Sequence, residues 1–383
     1  MPIIAGIKET SPKERRCAML PANVKAYRQL GAEVWIEPGL GSQIFIPDQD
    51  YLNAGAKLAQ SRDSILASAD LLVSVNPLPL VELAKLGSAI LISFLDPFNQ
   101  PEYVSELCRR KITALSMEMI PRISRSQKMD ALSSQASLAG YVMVIRAMSY
   151  LHRVLPMMMT PAGTLKPAKV FVIGAGVAGL QAIATAKRLG AVVTAFDTRS
   201  VVAEQVESLG ARFLSIDLGE TGQTEQGYAK ALTPEQMRTQ QIEQQKCIAD
   251  SDIVITTAQL FGRKPPVLID SETISKMKPG SVIVDMAAES GGNVEGSVPG
   301  ELHLQEQVYV VGTGNWPNEV AKDASQMYGN NVLNLISEFW HSESNRFELD
   351  LTDEILAGAV ITHGGHVVNA ILKAHLENTK EPT

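Results

Sequence analysis

The chain has 383 residues, of which 45% are hydrophobic and 20% are charged, and its formal net charge is −7 at pH 7. This length predicts two domains with sizeable cores, and the acidic balance excludes the basic face on which nucleic-acid binding depends. The three cysteines, Cys17, Cys108 and Cys247, lie far apart in the sequence and form no CxxC pair. Neither a metal site nor a disulfide framework is therefore expected.

No stretch of the sequence approaches the ~20 consecutive apolar residues of a membrane helix. The N-terminal residues lack the basic and apolar regions of a signal peptide. We therefore expect a cytoplasmic protein that does not insert directly into a membrane.

The first third of the chain repeats one pattern: an amphipathic helix, a break such as Leu-Gly, and then an apolar strand. Apolar strands that alternate with helices are typical of parallel sheets covered on both faces. The strands that this pattern predicts cover residues 32–36, 88–95 and 112–117.

A mostly helical stretch over residues 127–153 is predicted to connect this unit to a second one, and Met157–Met159 are predicted to pack in a core. Thr233, Pro234 and Gln236 predict a helix start with a capping box, inside a polar insertion over residues 217–245. The strands predicted for the second unit cover residues 169–173, 191–196, 212–216, 252–257, 281–286 and 308–311.

The C-terminal segment predicts a helix over residues 322–339, a hairpin that turns at Gly364-Gly365, and a last helix over 367–376. We expect this segment to return to the first unit. The predicted fold is α/β, with two doubly wound parallel-sheet, Rossmann-like domains. The first covers residues 1–126 plus 317–383, and the second covers 127–316 with the connecting helix.

A G-x-G-x-x-G motif at Gly174, Gly176 and Gly179 follows a predicted strand and opens a predicted helix. Gly174 allows the tight turn, Gly176 lets a pyrophosphate approach the backbone, and Gly179 lets the helix pack closely on the strand. The N-terminus of that helix presents N–H groups to the phosphates. The motif predicts a dinucleotide site that includes Val177 and Ala178 of the first helical turn.

Asp197 ends the next strand, where a carboxylate accepts hydrogen bonds from the adenosine ribose and repels a 2′-phosphate. This favours NAD(H) over NADP(H), although the nearby Arg199 is a residue type that serves NADP(H). Loops after the later strands are expected to enclose the nicotinamide half. The cofactor-binding residues predicted in all these segments are Asp197, Thr198, Arg199, Thr257, Ala258, Gly314 and Asn315.

A resemblance to the alanine dehydrogenase and nicotinamide nucleotide transhydrogenase superfamily begins in the N-terminal phrase Lys8-Glu9-Thr10-Ser11-Pro12-Lys13-Glu14-Arg15-Arg16, followed by Leu20-Pro21. The dehydrogenases of this superfamily carry a catalytic lysine at the end of one strand and a catalytic histidine after the next. The matching stretches here, residues 73–77 and 93–97, contain neither and have Ser74 and Asp96 instead. This departure argues against alanine dehydrogenase activity.

Residues 117–135 closely resemble the Arg-Gln-Asp loop of the NAD(H)-binding component, domain I, of proton-translocating transhydrogenase. Residues 179–190 and 278–283 resemble the same family, so that the resemblance spans nearly the whole chain. By this resemblance, Asp130 and Ser133 hold the nicotinamide carboxamide, and Arg122 pairs with Asp130.

Two further residues acquire roles from the same resemblance. Gln127 reaches toward the nucleotide on a partner component, and Tyr228 is similar to a mobile-loop tyrosine that folds over bound nucleotide. Together with Arg122, Asp130 and Ser133, they complete the set of residues expected around the nicotinamide.

The resemblance implies direct hydride transfer from C4 of NADH to C4 of NADP⁺, which needs no acid or base but requires two aligned rings and exclusion of water. The sequence has one dinucleotide fingerprint and no membrane span, so NADP(H) binding and the proton channel are expected on partner components. A homodimer attached to the inner membrane through those partners is implied. The alternatives are an amino-acid dehydrogenase related to alanine dehydrogenase and an NAD-sensing binding module.

Overall fold

The computed structural model describes residues 1–217, 233–259, 262 and 264–378. They form two compact units, Met1–Gln135 with Val320–Thr383, and Ala136–Glu319. The first division falls inside a helix, whereas the sequence prediction places the divisions at 126/127 and 316/317.

The strands of the described residues are short, as is usual for α/β folds. In chain order they are β1 (Ile3–Gly6), β2 (Glu33–Ile36), β3 (Lys57–Leu58), β4 (Leu71–Val73), β5 (Ile90–Ser93), β6 (Thr113–Ser116), β7 (Met158–Thr160), β8 (Gly163–Leu165), β9 (Lys169–Ile173), β10 (Val192–Phe196), β11 (Arg212–Phe213), β12 (Ile253–Thr256), β13 (Val282–Asp285), β14 (Leu302–Gln305), β15 (Val308–Val311), β16 (Trp340–His341), β17 (Arg346–Phe347), β18 (Val360–His363) and β19 (His366–Val367).

The α-helices lie mostly between successive strands. They are α1 (Pro21–Gln29), α2 (Asp48–Asn53), α3 (Arg62–Ser68), α4 (Pro101–Arg109), α5 (Ala131–Tyr150), α6 (Val177–Arg188), α7 (Ala203–Ser208), α8 (Pro234–Asp250), α9 (Ser271–Ser275), α10 (Ala321–Glu338), α11 (Glu354–Ala359) and α12 (Ala370–Asn378). Among the described residues, no helix is both long enough and apolar enough to cross a membrane.

The sheet of the first unit has the order β19-β18-β6-β5-β4-β1-β2-β3. The strands from β1 to β6 are parallel and follow the order 3-2-1-4-5-6 of a doubly wound fold. β18 adds to this sheet antiparallel to β6. The order therefore reverses between β1 and β4, which makes the ends of these two strands the switch point of the first unit.

The C-terminal segment completes the first unit, as predicted. Tyr328 and Leu335 of α10 are fully buried against Val34 and Ile36 on one face of the sheet. On the other face, Leu372 of α12 is fully buried in a second core cluster. The predicted turn at Gly364-Gly365 joins β18 to β19. Without this segment, one face of the sheet would lose its apolar cover.

The sheet of the second unit has the order β11-β10-β9-β12-β13-β15-β14. Its parallel strands, counted from β9, have the 3-2-1-4-5-6 order of a Rossmann domain. All residues of β12 and β13 are buried, as expected for central strands covered on both faces. The predicted α/β class with two doubly wound, Rossmann-like domains is thus confirmed.

The strand prediction for the second unit differs from the structure in two places. It omits β14, which pairs antiparallel with β15. β14 is an edge strand whose side chains alternate between exposed and half-buried, so it lacks the apolar run that marks inner strands. The predicted strand over residues 212–216 is shortened to β11.

The predicted start of α8 is confirmed by its capping hydrogen bonds. Thr233 Oγ1 accepts from the Gln236 amide at 3.3 Å, and Gln236 Oε1 accepts from the Thr233 amide at 2.9 Å. Pro234 occupies the first helical position, where its missing N–H has no cost. Local sequence was sufficient here because a capping box involves only four consecutive residues.

The prediction that Met157–Met159 pack in a core is wrong. Met158 and Met159 lie in the hairpin of β7 and β8, and Met157, Met158 and Met159 are 61%, 44% and 75% exposed. A separate two-stranded ribbon has no second layer on which such side chains could be buried. The hairpin therefore leaves the methionines on the surface of the second unit.

Candidate functional site

The glycine turn lies where the strand order of the second sheet reverses. β9 has β10 on one side and β12 on the other, and the turn after β9 leads directly into α6. Ligands of open α/β sheets bind at such a switch point, beyond the carboxyl ends of the strands. Gly174 adopts a φ of 99°, which L side chains rarely adopt, so this turn requires glycine.

The three glycines of the motif have different physical reasons to be glycine. A Cβ at Gly179 would overlap the carbonyl oxygen of Gly174, and a Cβ at Gly174 would collide with Thr257 Oγ1. At Gly176, in contrast, a Cβ would meet nothing within 4 Å. The protein itself therefore requires glycine at two positions and leaves open space at the third.

The open space at Gly176 fits a phosphate group. Gly176 is the N-cap residue of α6, and the first N–H groups of a helix have no partner within the helix. Together with the positive end of the helix dipole, these groups attract an anion. Val177 and Ala178, also predicted to bind cofactor, form the first turn of α6 beside Gly179.

The loop after β12 holds the glycine turn in place. Thr257 Oγ1 donates to the carbonyl oxygens of Ile173 and Gly174, at 3.2 and 3.1 Å. The carbonyl oxygen of Ala258 accepts from Asn293 Nδ2 at 3.0 Å. The predicted residues Thr257 and Ala258 are thus next to the turn, and Asn293 supports them from the loop after β13.

A buried carboxylate, which the sequence analysis did not identify, positions the loop containing Asn293. Asp285 is fully buried and accepts hydrogen bonds from the amides of Ala287, Asn293 and Val294 and from Thr256 Oγ1. The one signal in the sequence was an aspartate at the end of an otherwise apolar strand. Such a carboxylate must be hydrogen-bonded, since an isolated charge is costly to bury.

Asp197 lies beside the glycine turn, because it directly follows β10, the parallel neighbour of β9. Its Oδ2 accepts from the Ala175 amide at 2.8 Å, and its side chain is 7% exposed. Arg199 forms an ion pair with Asp197, with an Nη2–Oδ2 distance of 2.9 Å. This carboxylate raises the pKa of the Arg199 guanidinium above its ordinary value. Thr198 lies between the two residues in the chain.

The remaining predicted cofactor residues are not joined to the glycine turn by the contacts described above. Gly314 and Asn315 follow β15, where the Asn315 amide donates to Glu289 Oε2 at 3.2 Å. A Cβ at Gly314 would collide with the Glu289 side chain. Tyr228 lies outside the described residues.

In the first unit, Asp130 and Ser133 contact each other at the start of α5. Asp130 Oδ1 accepts from the Ser133 amide at 2.8 Å, and Asp130 Oδ2 accepts from Ser133 Oγ at 2.6 Å. The first of these is the hydrogen bond of a helix N-cap. The predicted nicotinamide residues therefore also stabilise the first turn of α5.

The segment before Asp130, residues 121–129, is fixed to the first unit by its inward-facing residues. Ser126 and Met129 are buried, and the Lys128 carbonyl accepts from Asn331 Nδ2 and Asn334 Nδ2 of α10, at 3.0 and 3.1 Å. The predicted residues Arg122 and Gln127 are exposed on the same segment. The pairing of Arg122 with Asp130 stays a prediction.

The switch point of the first unit is filled by a side chain of the protein. The carboxylate of Glu9 accepts from the amides of Val75 and Asn76, at 2.7 and 3.1 Å, and from Asn76 Nδ2 at 3.0 Å. Burial raises the pKa of Glu9 to about 7. Because Glu9 occupies the position where a ligand would bind, this switch point cannot cradle a dinucleotide phosphate.

A second ion pair adjoins Glu9. Arg16, 8% exposed, donates to both carboxylate oxygens of Glu14 and, through Nη1, to Gln135 Oε1 at 2.9 Å. Burial acts to raise the pKa of Glu14, but the hydrogen bonds and charge of Arg16 outweigh it and hold that pKa below its ordinary value.

The two positions where the related dehydrogenases carry their acid and base have structural hydrogen bonds here. Ser74 Oγ donates to the Asn76 carbonyl at 2.8 Å, and the Ser74 carbonyl accepts from Tyr328 Oη at 2.8 Å. Asp96 Oδ1 accepts from Asn99 Nδ2 at 2.9 Å. Within the described ranges, no three His, Cys, Asp or Glu side chains are grouped so that they could hold a metal ion.

A Rossmann sheet with a glycine turn, a helix N-terminus and an acidic residue after the second strand defines a dinucleotide-binding protein of the oxidoreductase class. Family models agree with this class. "Alanine dehydrogenase/PNT, N-terminal domain" matches residues 6–139, and "Alanine dehydrogenase/PNT, C-terminal domain" matches residues 143–370. The chain belongs to the alanine dehydrogenase/PNT family, and the resemblance seen in its sequence is confirmed.

Individual relatives cover nearly the whole chain. One is the first of the polypeptides that make up the alpha subunit of NAD(P) transhydrogenase in Rhodospirillum rubrum. It is 44% identical over 378 residues, which cover 96% of this chain and 98% of the relative. The protein of the same name from Rickettsia prowazekii is 38% identical over 381 residues, which cover 98% of each chain.

Solved structures give the same picture. A transhydrogenase from Sinorhizobium meliloti superposes with a TM-score of 0.83 at 39% identity, covering 96% of this chain and 99% of the other. An L-alanine dehydrogenase superposes with a TM-score of 0.82 at 26% identity, covering 98% and 99%. The fold is thus shared by both branches of the family, and the sequence is more similar to the transhydrogenases.

The glycine turn makes a testable distinction between packing and ligand space. Gly179→Ala should lower the melting temperature, because its Cβ overlaps the Gly174 carbonyl. Gly176→Ala should leave the melting temperature unchanged or slightly raised, because its Cβ has open space. Both variants should weaken NADH binding by about tenfold or more, since one methyl displaces the phosphate from the backbone amides. Thermal unfolding and fluorescence titration measure the two effects, and unchanged NADH binding by Gly176→Ala would contradict the assignment.

The raised pKa of Glu9 predicts a pH dependence of stability. A carboxyl whose pKa is raised in the folded state binds more protons there, so its contribution to stability is lost as pH rises from about 4.5 to about 7. Glu9→Gln should remove this loss, which is on the order of 2 kcal/mol. Urea unfolding at a series of pH values would measure it, with the exposed Glu301→Gln as control. Equal slopes for Glu9→Gln and wild type would contradict the prediction.

Proposed function

We propose that this chain is the NAD(H)-binding component of a proton-translocating transhydrogenase. Hydride passes directly from C4 of the NADH nicotinamide to C4 of NADP⁺ on a partner component, leaving NAD⁺ here and NADPH there. The observation that carries this proposal is the glycine turn with Asp197, in a chain 44% identical to a transhydrogenase subunit.

The residues of the second unit support NAD(H) as the bound nucleotide. The amides around Gly176 bind the pyrophosphate, and the negative charge of Asp197 favours the adenosine ribose over a 2′-phosphate. Thr257, Ala258, Gly314 and Asn315 border the nicotinamide half, and Thr198 lies beside the ribose. Val177 and Ala178 contribute the first helical N–H groups.

The residues of the first unit are assigned to the nicotinamide and to the partner. Asp130 and Ser133 bind the carboxamide, for which a carboxylate and a hydroxyl are suitable acceptors and donors. Arg122 braces the segment, and the exposed Gln127 faces the partner's nucleotide. Tyr228 closes over the bound nucleotide.

The absence of dehydrogenase acid–base residues agrees with hydride transfer between two nicotinamides. Reducing a keto acid to an amino or hydroxy acid requires a proton donor, but hydride transfer between two C4 atoms requires none. Here Ser74 and Asp96 stand where the lysine and histidine are expected, and their hydrogen bonds are internal. The chain's task is to orient one ring and exclude water.

Partner components then supply NADP(H) binding and the path of the proton through the membrane. The relatives from Rhodospirillum rubrum and Rickettsia prowazekii are named as one portion of an alpha subunit, which supports a multi-subunit assembly. In that assembly the chain associates peripherally with the inner membrane through its partners and remains on the cytoplasmic side.

An amino-acid dehydrogenase is the second candidate, because an L-alanine dehydrogenase has nearly the same fold. One absorbance assay separates the two reactions. We expect the chain alone to leave NADH unchanged with an NADP⁺ analogue, and to support hydride transfer once an NADP(H)-binding component is added. No transfer in the mixture, together with NADH oxidation by the chain alone on adding pyruvate and ammonium, would overturn the proposal.

The carboxamide assignment is tested in the same assay. Asp130→Asn retains the N-cap of α5, since Asn caps as well as Asp, but removes the charge. It should lower the transfer rate about tenfold or more while the melting temperature stays unchanged, and Ser133→Ala should act in the same direction. Ser137→Ala, one turn further along α5, is the matched control. A normal rate in both variants would refute the assignment.

We also propose that the chain forms a homodimer through the β7–β8 hairpin. Its exposed side chains Met157, Met158, Met159 and Leu165 make an apolar surface larger than scattered single residues do. A two-stranded ribbon is marginally stable in water, so a second copy that covers it would stabilise it.

Sedimentation velocity measures this association. Wild type should sediment as a dimer, and Met157→Lys combined with Met159→Lys should shift it toward monomer, because two charges would be buried unpaired. Val81→Lys, which replaces another exposed apolar residue, should leave the dimer intact. A dimer that persists in the double variant would show that the hairpin is not the interface.

A further inference from the structure

The Asp197 carboxylate has no spare acceptor capacity in the structure. Its Oδ1 accepts from the Arg199 amide at 2.8 Å and from Arg199 Nε at 2.9 Å. Its Oδ2 accepts from the Ala175 amide at 2.8 Å and from Arg199 Nη2 at 2.9 Å. Two carboxylate oxygens offer about four lone-pair sites, so these four donors occupy all of them.

The four donors differ in how easily they can be displaced. The Ala175 amide belongs to the glycine turn, and the Arg199 amide belongs to the main chain two residues after Asp197. Both are fixed by the backbone. The guanidinium sits at the end of a flexible side chain, so a ribose diol that binds Asp197 displaces the guanidinium and leaves the amides in place.

The same ion pair affects a 2′-phosphate. A guanidinium binds phosphate with two parallel hydrogen bonds, which makes arginine the residue type suited to NADP(H). Arg199 is 15% exposed and directs Nε and Nη2 at Asp197. Asp197 therefore discriminates against NADP(H) in two ways: it repels the phosphate, and it engages the cation that could bind it.

We propose that Arg199 is a specificity-determining residue of this site, acting through its ion pair with Asp197. Its guanidinium competes with the adenosine ribose for the carboxylate, and its engagement by Asp197 keeps it from a 2′-phosphate. This inference rests on the proposed binding of NAD(H) at the glycine turn.

The consequence is that one substitution at Asp197 should change the preference, and only while Arg199 is present. Asp197→Asn should weaken NADH binding and tighten NADPH binding, each by about tenfold to a hundredfold, since charge-assisted contacts are lost and gained. Adding Arg199→Met should abolish the NADPH gain. Arg199→Met alone should tighten NADH several-fold and leave NADPH excluded, because Asp197 keeps its charge.

Fluorescence titration with NADH and NADPH measures all four proteins, with the exposed Arg188→Met as control and circular dichroism as a check of folding. High salt should reduce the NADPH gain, because it is electrostatic. The inference is overturned if Asp197→Asn gains no NADPH affinity, if the gain persists without Arg199, or if Arg199→Met weakens NADH. Failure of wild type to bind NADH at all would instead overturn the proposed function.

Discussion

The close approach of α6 to the glycine turn is the contact on which the second unit depends. Gly179 lies so near the Gly174 carbonyl that no side chain fits between them, and this proximity aims the helix N-terminus at the space beside Gly176. Thr257 secures the same turn from the next strand. Asp197 secures it from the other side through the Ala175 amide. A helix dipole, a turn and a carboxylate thereby converge on one switch point.

The two units share a strand order but differ at their switch points. In the second unit, glycine leaves space for a ligand. In the first, the Glu9 carboxylate binds the amides of Val75 and Asn76, and the neighbouring Arg16 is neutralised by Glu14. The topology alone would allow either unit to bind a nucleotide. The side chain at the end of β1 decides between them, because it satisfies the same backbone amides that a phosphate would require.

The first unit instead supports a short segment that carries polar residues outward. Ser126 and Met129 anchor this segment, Asn331 of α10 binds its carbonyl, and Asp130 caps α5. The anchors fix the backbone, so the exposed Gln127 has a defined position without a packed side chain. Such an arrangement suits a chain whose proposed reaction depends on orientation of two rings rather than on an acid or base.

The amino-acid sequence by itself determined the fold class, the glycine turn, the capping box at Thr233 and the return of the C-terminal segment. These features depend on local turn chemistry and on apolar periodicity, both of which are present in the order of residues. The tertiary structure alone decided the antiparallel edge strand β14, the exposure of the Met157–Met159 triplet, the burial of Asp285 and the ion pair of Asp197 with Arg199. Each of these depends on which neighbours the fold brings to a side chain, and local pattern does not encode those neighbours.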